Sequence, residues 1–114
     1  MEKLSKQTEE NLAQLQLLEQ NLQNFVLQRQ NFQMQLSEIE TALNEIARVN
    51  DMPFKIIGSV MVATKKEDLK KDLESKKEIL DLRIKSLEKQ ENSLREKANN
   101  LQQSIMKDMQ KQGV

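Results

Sequence analysis

FKIIGSVMVA, Phe54 to Ala63, is the stretch that decides how this 114-residue chain folds. Its Phe, two Ile and two Val flank Gly58-Ser59, and β-branched and aromatic residues suit a pleated strand while Gly opens a type II′ turn. The spacing predicts a β-hairpin with strands at 54–57 and 60–63, Ile57 opposite Val60 and Ile56 opposite Met61. One face then carries Phe54, Ile56, Met61 and Ala63. The other carries Ile57, Val60 and Val62 beside Lys55. Both faces are greasy, and a lone two-stranded hairpin is marginal with open edges that invite strand addition. Phe54, Ile56, Ile57, Val60, Met61 and Val62 are therefore expected to be buried in an assembly.

Outward from the hairpin the periodicity changes. With Leu15 as a heptad a position, the a series runs Leu15, Leu22, Arg29, Leu36, Leu43 and the d series Leu18, Phe25, Phe32, Ile39, Ile46. Only Arg29 is not apolar, which reads as a coiled-coil seam. Beyond the hairpin, Leu73, Leu80, Leu87, Leu94 and Leu101 recur every seventh residue as a d series. The accompanying a lane is Lys70, Lys77, Ile84, Glu91, Ala98, Ile105. The two seams face each other antiparallel when paired residue numbers sum to 116, as in Leu22 with Leu94 or Leu43 with Leu73; half of that sum is Gly58. The fold class expected is mostly α: a long antiparallel two-helix coiled coil with a single β-hairpin at its base. Its divisions are a first helix at 1–48, a linker and hairpin at 49–66, a second helix at 67–110 and a tail at 111–114. An arm of this size measures about 65–70 Å at 1.5 Å per residue.

Composition limits the chemistry. Hydrophobic residues make up 37% and charged residues 32%, the profile of long helices burying a narrow stripe. There is no His, Cys, Tyr or Trp, so the usual general bases, thiolate nucleophiles and nitrogen or sulfur metal ligands are missing. The two glycines lie far apart and form no phosphate-binding loop. No enzyme, cofactor or metal is expected. Net charge is zero and the lysine pairs are interleaved with acids, which argues against nucleic acid. No apolar run is long enough to span a membrane, and MEKLSKQTEE lacks a signal-peptide core; a cytoplasmic protein is expected.

Two places on the arm stand out. Arg29 faces Leu87 in this register, near Glu88 and Glu91, and reads as a polar layer that fixes register. At the free end Thr8, Asn11 and Asp108 occupy seam positions, so the end is expected to fray and leave Leu4, Leu12, Ile105, Met106 and Met109 partly exposed, either as adaptable contacts for a partner or as plain filling of a fraying coiled-coil end.

The stretch PFKIIGSVMVATKKEDLKKDLESKKEILDLRIKSLEKQENSLREK resembles the β subunits of prefoldin. It is similar to that family's aromatic-Lys-x-x-Gly-x-x-x-Val hairpin, followed by a helix with ILDLR (Ile79 to Arg83) and LEKQE (Leu87 to Glu91). The Gln-rich first helix is similar more loosely. Phe54 departs from the tyrosine more usual there and loses a hydroxyl. The resemblance implies a hexamer of two α and four β subunits, with hairpins joined into a double β-barrel. It also implies an ATP-independent holdase whose arm ends capture unfolded chains and pass them to a group II chaperonin. The alternative is a structural coiled-coil scaffold or tether without holdase activity.

Overall fold

The structure is a computed structural model and describes residues 5–111. In chain order it comprises helix α1 (Lys6–Arg48), strands β1 (Phe54–Ile57) and β2 (Val60–Ala63), and helix α2 (Lys66–Lys111). Local chemistry sets each boundary. The Ser5 hydroxyl oxygen accepts the Thr8 backbone N–H at 3.1 Å, and the Glu9 N–H donates to the Ser5 carbonyl at 3.0 Å, so Ser5 caps α1. The last turn of α1 tightens, Val49 N–H reaching the Ile46 carbonyl at 3.2 Å. The chain then leaves the helix through Asn50-Asp51-Met52-Pro53, where the residue before a proline is steered away from helical geometry. Helix α2 opens with Glu67 and Asp68 in its first turn, where acidic groups complement the helix dipole.

The hairpin pairs Phe54 with Ala63, Lys55 with Val62, Ile56 with Met61 and Ile57 with Val60. Pro53 has no N–H to give, and here only its carbonyl is needed: it accepts the Thr64 N–H at 3.0 Å, one step beyond the ladder. Gly58 has φ 61° and no other described residue has positive φ. A type I′ turn needs positive φ at both central residues, so a single one at Gly58 fits the II′ turn expected from Gly58-Ser59.

Two compact units can be distinguished, one built from the chain up to Arg29 and from Ser86 onward, the other from Gln30–Lys85. In the first, Thr8, Asn11, Leu15, Leu18, Leu22, Phe25 and Arg29 are covered seam positions of α1, with Leu87, Glu91, Leu94, Ala98, Leu101, Ile105 and Asp108 on α2. In the second, Phe32, Leu36, Ile39, Leu43 and Ile46 are covered on α1, with Leu73, Lys77, Leu80 and Ile84 on α2. Most are half-buried because a two-helix seam covers each side chain from one side only; among the described residues Ile46, Leu80, Ile84, Leu87 and Ile105 are the buried apolar ones. Lys70 is the departure from the expected lane. It is exposed and the preceding Leu69 takes the partly covered place, because a charged head gains more from water than its stem gains from the seam.

Contacts between the helices report their register. In the second unit Lys77 Nζ lies 3.8 Å from Glu40 Oε1, and the Arg83 guanidinium sits 5.7 Å from the Phe32 ring centre. In the first, Arg29 Nε meets Glu91 Oε2 at 2.6 Å. Their residue numbers sum to 117, 115 and 120, around the expected 116 and within the reach of long side chains. A seam slipped by one heptad would displace one helix by about 10 Å.

Candidate functional site

The hairpin is an unburied apolar surface. Phe54 is 62% exposed, Ile56 70% and Val62 42%, with Ile57, Val60 and Met61 in between. The eight strand residues include no carboxylate and only one cation, Lys55. Among the described residues, neither face is covered by the helices. A contiguous cluster of this kind marks an interaction surface, whereas singly scattered apolar residues do not.

The base on which it stands is tied by charge. Lys55 Nζ donates to Asp72 Oδ2 at 3.3 Å, and Lys76 lies 3.3 Å from the same oxygen one turn further along α2. Those two ammonium groups, Lys76 first and Lys55 second, hold the Asp72 carboxyl below its ordinary pKa. At the same level Lys66 Nζ donates to the Val49 carbonyl at 3.0 Å and to the Ala47 carbonyl at 3.4 Å. These are orphan acceptors at the C-terminus of α1, where a cation also meets the negative end of the helix dipole. Sequence reasoning missed both clamps. Lys76 at i+4 from Asp72 was a readable signal, whereas nothing local marks Lys66 as the cap of a different helix.

In the arm, Glu91 is 4% exposed and is bracketed by two arginines, Arg29 across the seam and Arg95 at 3.6 Å on its own helix. Its hydrogen bond raises the Arg29 pKa above the ordinary guanidinium value. Both glutamates expected near Arg29 act on it, Glu91 through the hydrogen bond and Glu88 by charge attraction.

The arm end differs from expectation. Thr8 is fully buried, Asn11 and Ile105 are buried, and α2 stays helical to Lys111. Polar groups at these positions satisfy one another instead of loosening the seam: Thr8 Oγ1 is 2.8 Å from Ser5 Oγ, and Gln7 donates to Asn11 Oδ1 at 3.2 Å. The expected fraying is therefore corrected. Of the proposed contact residues, Met106 is 57% exposed, Leu12 and Met109 are half-buried, and Ile105 belongs to the seam. Leu4 lies outside the described residues. No described helix is long and apolar enough to cross a membrane.

Long antiparallel helices bridged by an exposed hairpin define a coiled-coil subunit whose apolar surface lies in its turn. Comparison with known proteins gives that class a family. The family model for prefoldin subunits matches residues 9–112, and the chain belongs to that family. It is 40% identical over 107 residues to prefoldin subunit beta of Archaeoglobus fulgidus, covering 92% of each chain. To prefoldin subunit beta of Thermococcus onnurineus it is 36% identical, again with 92% of each covered. Among solved structures, the prefoldin beta subunit of Thermococcus strain KS-1 superposes with a TM-score of 0.87 at 34% identity, covering 94% of this chain and 96% of that one. The family expected from the hairpin and the ILDLR and LEKQE stretches is thus the family found.

Proposed function

We propose that this chain is the β-type subunit of an ATP-independent holdase. In this reading its hairpins join those of neighbouring subunits, four such chains with two α subunits, into a β-barrel core. Unfolded polypeptides bind at the arm ends and pass to a group II chaperonin. One observation carries the assembly step: both faces of the hairpin are open, with exposures of 42–70% for its six large apolar residues. Strand edges and apolar faces in that state are completed by other strands.

Capture at the arm ends rests on chemistry that suits weak, adaptable contact. Met106 is exposed, Met109 and Leu12 are partly so, and thioether side chains fit irregular partners. Leu4 and Ile105 complete the proposed contact set, Ile105 by supporting its neighbours from within the seam. Several such contacts on separate arms raise apparent affinity through multivalency without a tight pocket. Nucleotide has no part in this scheme, since the sequence has no phosphate-binding loop.

The test is to mix the chain with an archaeal prefoldin α subunit and measure mass and holdase activity in nucleotide-free buffer. A complex of six chains that suppresses aggregation of a chemically unfolded model protein is expected. A scaffold would assemble yet leave aggregation unchanged, and that outcome would reject the holdase reading.

A further inference from the structure

A second stripe lies close to the hairpin. Lys76, Ile79 and Arg83 follow one another at i, i+3 and i+7 on α2, on one side of a shallow groove floored by Ile39 and Leu80. Ile79 is half exposed, one of several large apolar side chains left open on these helices and the one that lies in this groove. Arg83 stacks over Phe32 and has no carboxylate partner among the described residues. Lys76 spends one contact on Asp72 and keeps donors to spare. On α1, Glu38 and Glu45 are both exposed and neither is in an ion pair among the described residues. They are also seven residues apart, so both charge pairs repeat at about 10 Å along their helices.

We propose that the Lys76–Ile79–Arg83 stripe docks against the Glu38–Glu45 stripe of a second copy of this chain. Laid antiparallel, the two stripes put Arg83 opposite Glu38 and Lys76 opposite Glu45. Ile79 then falls over Thr41 and Ala42, whose small side chains leave room for it. The contact is heterologous, one surface of a copy meeting a different surface of the next, which is the kind that can close a ring. Size supports a copy as the occupant. Eight strand residues are few against the roughly 20–30 residues a side of a standard specific interface, so assembly through the hairpin calls for further contact nearby. Asp72, which holds Lys55 of the hairpin, is one heptad from Ile79. An unfolded client offers no fixed spacing of carboxylates and no reason for the matched repeat.

The inference rests on the hairpin assembling copies, and the test separates the two. The mass of the full-length chain is followed against concentration by sedimentation velocity for five proteins: parent, Arg83→Glu, Glu38→Arg, the Arg83→Glu/Glu38→Arg double variant, and Ile57→Asp. Both charged positions are exposed, and circular dichroism checks that helicity is kept. Each single reversal should weaken self-association about tenfold at low salt, less at high salt. The double variant should recover to near the parent, because each interface regains an opposite pair. Single variants equal to the parent, a double variant no better than the singles, or a parent that stays monomeric would each overturn the docking. A dissociated Ile57→Asp beside unchanged Arg83→Glu would discard the stripe and keep the hairpin. An undisturbed Ile57→Asp would reject the hairpin reading instead.

Discussion

At the scale of residues, two charged clusters carry testable weight, and they differ in burial. Glu91 is nearly enclosed and hydrogen-bonded to Arg29, whose removal leaves that carboxylate inside the seam with Arg95, at 3.6 Å, as its remaining ion-pair partner among the described residues. Arg29→Ala should lower the thermal midpoint by about 5–10 °C, while Arg29→Leu with Glu91→Leu should regain most of it, since a well-packed apolar pair replaces an ion pair without desolvation cost. Thermal melts followed by circular dichroism measure both, and a double variant as unstable as the single would show that the layer does more than pair charge. Asp72 is the half-buried counterpart, with its pKa lowered in the fold by Lys76 and Lys55. A carboxyl whose folded pKa lies below its unfolded one stabilises the fold above the unfolded value of about 3.9, and loses that contribution as pH falls through the folded value. The melting difference between parent and Asp72→Asn should therefore stay constant above about pH 5 and shrink below about pH 4. A difference that persists unchanged into strong acid would mean that Asp72 acts through packing.

Among elements, the hairpin and the seam were legible for different reasons. Strand propensity, Gly58 and the preceding Pro53 act locally, so the hairpin's register could be read directly from FKIIGSVMVA. The heptads repeat over the length of both helices, so single exceptions such as Arg29 could not hide the seam. The arm end was misjudged because Thr8 and Asn11 are polar, and their polar groups are met locally, Thr8 by the capping Ser5 and Asn11 by Gln7 of the same helix. The Lys66 cap was invisible because its partners are main-chain carbonyls of another helix. Register has a direct test. Paired cysteines at Leu22 and Leu94 should form a rapid intramolecular crosslink in a chain with no native cysteine, while Leu22 with Leu101, about 10 Å away along the axis, should crosslink poorly. Equal yields would reject the register. Within the hairpin, Ile57→Asp or Val62→Asp should cost several kcal/mol of assembly by putting an unpaired charge into a buried sheet, with helicity largely retained. Light scattering that finds mutant and parent at equal mass would contradict it.

For the whole molecule, the account joins an apolar hairpin that gathers subunits to arm ends that hold unfolded chains. Its central claim is the second half, because family membership and the open hairpin bear mainly on assembly. Placing assembly and capture at opposite ends of the helices predicts that each can be lost without the other. The most direct measurement is nucleotide-free suppression of aggregation of a chemically unfolded model protein by an assembled variant in which Leu4, Leu12, Met106 and Met109 are serine and Ile105 is kept to preserve the seam. The oligomer's mass should match the parent, and protection of the client should fall steeply. If that variant protects as well as the parent at equal mass, capture does not occur at the arm ends and the account is contradicted at its centre.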